Sequence, residues 1–255
     1  MMDYINKKMK SEKVDTGIVM IDDFKYRNRE DMVYEALKKN ILELVLKPGQ
    51  VVSEAEVCQM FGVSRTPVRN SLRILAEKGY VDIIPYRGIY IKLLSLKNIK
   101  QMIYMRYAVE AMVLEDFINN DNKIVLEDIN YMIRKQEALI VTKNFKPEQF
   151  YRVDVQIHGL WFEAENRSKL WEMFQFDHLH YTRFKMLDFI TETDFTRIIK
   201  EHKNIVNLIE KKDIKKLRHT LKDHLYYSMK RMRHAIDVDY RDYFEEESDE
   251  GKFDI

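Results

Sequence analysis

The chain is short of the residues that staple or interrupt a fold. Its 255 residues include one cysteine, four prolines and seven glycines. A single thiol, Cys58, excludes an internal disulfide framework and fits a reducing cytoplasm. Its expected place is burial on a helix. Scarce glycine and proline argue against long sheet-rich or disordered regions, so most of the chain should be helical. No run of apolar residues is long enough for a membrane span. The N-terminus carries charges but lacks the apolar stretch of a signal peptide. Net charge is only +1, which excludes a protein that holds nucleic acid by bulk positive charge.

What is present is unevenly distributed. From Met60 to Lys100 there are eight basic residues against Glu77 and Asp82. From Asp237 to Ile255 there are nine acids against Arg241 and Lys252. A local basic patch on a near-neutral chain is the footprint of a DNA-binding module joined to a separate sensing module. The run Glu245-Glu246-Glu247-Ser248-Asp249-Glu250 reads as a solvated acidic tail.

The basic patch contains Phe61-Gly62-Val63-Ser64-Arg65-Thr66-Pro67-Val68-Arg69-Asn70-Ser71-Leu72, a turn followed by a helix. Gly62 supplies the turn, Ser64 is the expected N-cap, and Pro67 falls in the first turn, where a missing N–H costs little. Val68, Leu72 and Leu75 mark the buried side, while Arg65, Arg69 and Arg73 recur every four residues as a separate stripe. Arginines on the early turns of a helix set behind a short turn suit a reader of the DNA major groove. The bland alternative is a solvated face. Arg73 reads as a phosphate contact or surface residue.

The flanks fit the same picture. A helix is expected over about Arg29 to Leu46, ended by Lys47-Pro48-Gly49. A second starts at Ser53 with Glu56 in a capping box and ends near Met60. Tyr80–Ile84 and Ile89–Lys92 read as two strands around the turn Pro85-Tyr86-Arg87-Gly88. Three helices and a hairpin make a winged helix-turn-helix, with Arg87 at the wing tip. After a linker at Leu93–Leu96 the pattern is helical throughout, over about Leu96–Asn119, Leu126–Thr142, Pro147–Glu165, Ser168–Phe189, Asp194–Lys211 and Ile214–Asp237. The fold class is therefore mainly α. An arm (1–26) precedes a DNA-binding domain (27–94), a helical bundle of six or seven helices (95–237) and a tail (238–255).

Residues 29–96 resemble the DNA-binding domain of the GntR family of bacterial transcription regulators. The likeness rests on Leu46-Lys47-Pro48-Gly49, Ser53-Glu54, Phe61–Arg69, Leu72, Leu75, Gly79 and Ile84-Pro85-Tyr86-Arg87-Gly88. It implies operator contacts from Arg65, Thr66, Arg69, Arg87 and Gly88. Ala55 stands where some relatives place an arginine between two acids. Asn70-Ser71 replaces the commoner Glu-Ala. The helical remainder resembles the FCD effector domain of the FadR subfamily, through Arg106, Glu110, Asp154, His158, Asn166, His202 and His224.

Asp154 and His158 lie four apart on one helical face, among Val153, Ile157, Leu160 and Trp161. With His202 and His224 they form a donor set for zinc, nickel or manganese. The resemblance implies a metal held by these four residues, which helps to bind a small carboxylate effector, with Arg106 and Asn166 beside it. Arg106 is equally placed to form a buried salt bridge with Glu110. His178, His180, His219 and His234 read as structural or exposed, and Phe174, Phe176, Tyr181, Phe184 and Phe189 as core. The expected protein is a cytoplasmic, nucleoid-associated homodimer with DNA and a small-molecule effector as partners, no membrane and no enzymatic activity. A metal-free acyl-CoA sensor and a metal-dependent hydrolase are the alternatives.

Overall fold

The computed structural model describes residues 28–176 and 179–246. They form two compact units. One ends at Ile41 and resumes over Val45–Ile91; the other comprises Leu42–Leu44 and what is described from Lys92 on. The whole of the expected arm and the end of the acidic tail, together with His178, lie outside the described residues.

In the first unit, α1 spans Arg29–Leu42, α2 Glu54–Phe61 and α3 Arg65–Glu77. The first helix stops four residues earlier than its apolar pattern suggests. Leu44 takes a left-handed φ of 60°, and the Leu46 N–H donates back to the Asn40 carbonyl at 3.0 Å, turning the chain so that Leu46 still reaches the core. The capping box on α2 forms as its spacing predicts. Ser53 Oγ accepts from the Glu56 N–H at 3.2 Å, and Glu56 Oε2 accepts from the Ser53 N–H at 2.7 Å. Gly62 ends α2 at φ 62°. Ser64 holds the N-cap position of α3 but makes no side-chain capping bond, against expectation. Val68, Leu72 and Leu75 are buried.

The wing consists of β2 (Val81–Ile84) and β3 (Gly88–Ile91), antiparallel with Ile84 opposite Gly88. A two-residue strand, β1 (Val51–Val52), extends the sheet to the order β1-β3-β2. The sequence pattern did not show β1, because two residues are too few for alternation to register. Cys58 is half-buried on α2, not fully enclosed.

The second unit is all helix: α4 Leu96–Asn119, α5 Lys123–Ile140, α6 Pro147–Ala164, α7 Ser168–Phe176, α8 Leu179–Ile190, α9 Phe195–Glu210 and α10 Ile214–Arg231. Of the segment expected as one helix over Ser168–Phe189, Ser168–Phe176 and Leu179 onward are helical, and residues 177 and 178 lie outside the described residues. The last helix ends six residues early and passes into a π-helical turn, Ala235–Asp239, then a 3-10 turn, Arg241–Tyr243. Residues 238–244 are therefore not tail. The Leu94 N–H donates to Tyr243 O at 2.8 Å, the Glu245 N–H donates to Leu94 O at 2.9 Å, and Phe244 is buried. Backbone pairing and an aromatic anchor outweigh the acidic composition there.

The core runs along the bundle axis. Trp161, Phe117, Phe150, Phe162, Phe184 and Phe189 are among its fully buried side chains, each contributing about 1.5–3 kcal/mol by burial. Phe145, Phe150, Phe189 and Phe195 meet edge-on, tilted or stacked. Phe174, Tyr181, Phe184 and Phe189 are core residues, as expected.

Candidate nucleic-acid interface and metal centre

The exposed side of α3 carries Arg65, Thr66, Arg69 and Arg73, all solvent-accessible. Arg69 Nε donates to both oxygens of Glu54, at 3.0 and 2.9 Å, and Arg73 pairs with Glu77 at 3.7 Å. Asn70 does not face free solvent: its Nδ2 donates to Glu30 Oε2 at 2.8 Å, while Ser71 Oγ donates to the carbonyls of Glu30 and Pro67. The departure from Glu-Ala at these positions thus binds α3 to the start of α1. At the wing, Arg87 is exposed, Gly88 lies at φ 117°, and Ala55 is exposed on α2. Of the arginine stripe, Arg65 alone has no ion pair among the described residues; Arg69 pairs with Glu54 of α2 and Arg73 with Glu77 one turn along α3.

In the helical unit, α6, α9 and α10 bring Asp154, His158, His202 and His224 together, with one ligand atom from each lying within 4.8 Å of the others. Asp154, His158 and His202 are buried and His224 is nearly so. His158 Nε2 stands 3.2 Å from His224 Nε2, and His202 Nε2 stands 3.4 Å from Asp154 Oδ1. Each imidazole is held from behind through Nδ1. His158 pairs with Glu110 Oε1, His202 with Gln136 Oε1 at 2.9 Å, and His224 with Glu201 Oε2 at 2.9 Å. All three partners accept hydrogen bonds, so each Nδ1 carries the proton and each Nε2 turns a lone pair inward. Among the described residues His202 Nε2, buried, has no hydrogen-bond partner. An orphaned buried nitrogen facing other lone pairs is costly unless a cation completes it.

Electrostatics favour the ligand form of the rings. Burial, reinforced for His158 by the Arg106 charge and for His202 by His224 and His158, pushes both well below the ordinary histidine range. Neutral imidazole is the species that ligates metal. Glu201 is lowered because its His224 and Arg197 contacts outweigh desolvation.

The sequence pattern missed the residues behind the rings. Glu110, fully buried, accepts from Arg106 Nη2 at 3.1 Å and Trp161 Nε1 at 3.1 Å as well as facing His158. Its spacing from Arg106 signalled the ion pair, not the bond to the histidine. Gln136 and Glu201 gave no signal, since they lie 66 and 23 residues from the rings they hold. Arg106 also donates to the Tyr181 hydroxyl at 2.5 Å and lies 5.3 Å from the Trp171 ring. Trp171 in turn fits against Gly159 on α6, where a Cβ would meet its Nε1 at 2.7 Å. The buried Arg106–Glu110 bridge is thus present. Arg106 Nε remains buried with no hydrogen-bond partner among the described residues.

Asn166 stands apart. It is exposed, at φ 56°, in the turn after α6, where its N–H donates to Glu163 O and the Arg167 N–H donates to Phe162 O. That is a helix-terminating pattern that favours asparagine. Among the other histidines, His180 accepts from the Ser95 N–H, His219 pairs with Asp223 on the surface, and His234 is exposed.

Comparison with known proteins agrees with both halves. The family model for bacterial regulatory proteins of the gntR family matches residues 29–91, and that for the FCD domain matches residues 101–227. The HTH-type transcriptional repressor RspR of Escherichia coli K12 is 24% identical over 215 residues, covering 84% of this chain and 93% of that protein. The gluconate operon transcriptional repressor of Bacillus subtilis is 26% identical over 187 residues, covering 71% and 75%. Among solved structures, E. coli McbR/YncC superposes with a TM-score of 0.63 at 17% identity, over 81% of this chain and 97% of that one. Among the described residues no helix is long and apolar enough to cross a membrane. The chain belongs to the GntR family of bacterial regulatory proteins: it is a transcription regulator with an N-terminal winged helix-turn-helix and a C-terminal FCD domain, and not an enzyme.

Proposed function

We propose that this regulator binds a pseudo-palindromic DNA operator as a homodimer in the bacterial cytoplasm, at the nucleoid. Its operator affinity responds to a small carboxylate effector bound beside a divalent transition metal. Arg65, Thr66 and Arg69 on α3 would read one major-groove half-site per subunit, with Arg87 and Gly88 of the wing on the flanking backbone or minor groove. Asp154, His158, His202 and His224 would hold zinc, nickel or manganese, the ions that suit three imidazoles and a carboxylate. The bound ion supplies Lewis acidity at positions open to a carboxylate oxygen. Arg106, with its free Nε, is the second anchor for that carboxylate.

The observation that carries the metal reading is the convergence of three Nε2 lone pairs on one buried point, each ring fixed through Nδ1. Support for self-association comes from an exposed apolar stripe on α4, Tyr104, Ala108 and Met112, spaced one helical turn apart.

The test joins metal content to operator binding. Protein purified without added metal should retain about one transition-metal ion per chain, which chelation removes. Titrating selected operator duplex with and without small carboxylates should then change affinity by about 5–150-fold, the usual scale of coupling between two sites. No retained metal would remove the effector half of the reading. Unchanged operator affinity across all carboxylates would remove the switch.

A further inference from the structure

Among the described residues, five non-glycine positions have positive φ: Leu44, Tyr86, Asp121, Asn166 and Lys212. Four follow the last turn of a helix, where a left-handed residue is an ordinary terminator. Tyr86 does not. It sits at the tip of the wing, in a turn closed by the Arg87 N–H donating to Ile84 O at 3.0 Å. Pro85 occupies the second position of that turn and Tyr86, at φ 62°, the third. This is the type II arrangement, whose third position favours glycine or asparagine. A bulky aromatic there is strained, and strain of this kind persists where the side chain has work to perform.

The side chain gains nothing from the fold in return. Tyr86 is 109% exposed, and beside it Ile83 and Ile84 are 48% and 38% exposed. The tip therefore presents Ile84, Pro85 and Tyr86 to solvent, directly beside the exposed cation Arg87. An apolar wedge flanked by a positive charge, at the tip of a two-stranded hairpin, is what minor-groove binders use to pry apart stacked base pairs.

We infer that Tyr86 is an aromatic wedge that inserts at a base step in the minor groove flanking each half-site, bending the operator, while Arg87 holds the adjacent phosphates. Its partner is duplex DNA, and pyrimidine–purine steps, the easiest to unstack, are its preferred target. The inference rests on the DNA-binding reading and adds a specificity element that the arginine stripe does not supply.

The test uses the full-length protein and duplexes selected from a random pool by the unchanged chain, carrying 2-aminopurine at steps flanking the half-sites. Binding should raise 2-aminopurine fluorescence and bend the duplex. Tyr86→Gly relieves the backbone strain, so it should raise the melting temperature by about 2–4 °C. The same change should weaken operator binding by roughly tenfold or more and abolish the fluorescence rise. Tyr86→Phe keeps the wedge and should behave as the unchanged chain. A structural tyrosine would instead lose stability in the glycine variant. Unchanged affinity and unstacking in Tyr86→Gly overturn the wedge alone, as does a phenylalanine variant that matches glycine. Failure of the unchanged chain to select any duplex overturns the DNA reading itself.

Discussion

His202 is tied to Gln136 through Nδ1 at 2.9 Å, and this leaves its Nε2 buried with no hydrogen-bond partner among the described residues, 3.4 Å from Asp154 Oδ1. The amide oxygen of Gln136 fixes the tautomer, so the lone pair points at the other three ligand atoms rather than into the helix.

This relationship predicts a graded response. His202→Ala should abolish retention of the metal. Gln136→Leu removes only the support behind the ring and should weaken metal affinity by about 10–100-fold, the usual effect of losing such a partner. Competition with a chromophoric chelator measures both. Equal affinity in Gln136→Leu and the unchanged chain would count against the orienting role.

A second buried cluster should set the response to acid. Asp188 accepts from Lys185 at 3.0 Å, Ser228 at 2.6 Å and Arg231 at 2.5 Å. Burial alone would raise its pKa, but these donors together hold it below the ordinary 3.8. A carboxylate whose folded pKa is depressed adds stability above its unfolded pKa and loses it as pH falls through the folded one. Asp188→Asn should therefore cost about 3 kcal/mol near pH 7, where it leaves Lys185 and Arg231 short of their counter-charge. The gap from the unchanged chain should narrow below pH 3.8. Denaturant melts at both pH values check this, and a gap independent of pH would refute it.

Glu54 of α2 pairs with Arg69 on the exposed side of α3. Both side chains are exposed, so Glu54→Ala should change stability by less than about 1 kcal/mol. It removes a negative charge from that face and frees the guanidinium. Affinity for unselected duplex at low salt should rise, and Arg69→Ala should lower it. Fluorescence anisotropy in a salt series separates the two. A fall in affinity for Glu54→Ala would show that the pair positions Arg69 rather than restraining it.

The capping box on α2 gives a stability prediction free of any ligand. Ser53→Ala removes the acceptor for the Glu56 N–H and should cost about 1 kcal/mol. Ser64→Ala should cost less, since Ser64 makes no side-chain capping bond. Thermal melts of the two variants decide the order.

Local rules wrote much of this fold into the sequence. The box Ser53–Glu56, the left-handed Gly62 and the spacing of Val68, Leu72 and Leu75 act within a few residues, so α2, the turn and α3 could be read directly. The helix over Leu96–Asn119 was legible to the residue, because its apolar period runs unbroken. Asp154 and His158 were visible as a pair for the same reason: one helical turn separates them. The short strand Val51–Val52, the anchoring of Phe244 beside Leu94, and the bond from Asn70 to Glu30 were not, since each depends on a partner far along the chain.

The sequence by itself therefore determined the helices, the arginine stripe and the identity of four metal-ligand candidates. Only the tertiary structure decided that those four converge, and that Glu110, Gln136 and Glu201 aim the rings. It also placed Asn166 at a helix end and left Tyr86 strained and bare at the wing tip. The physical reason is range: periodicity and capping are set by neighbours in sequence, whereas tautomer, burial and exposure are set by whatever packing brings alongside.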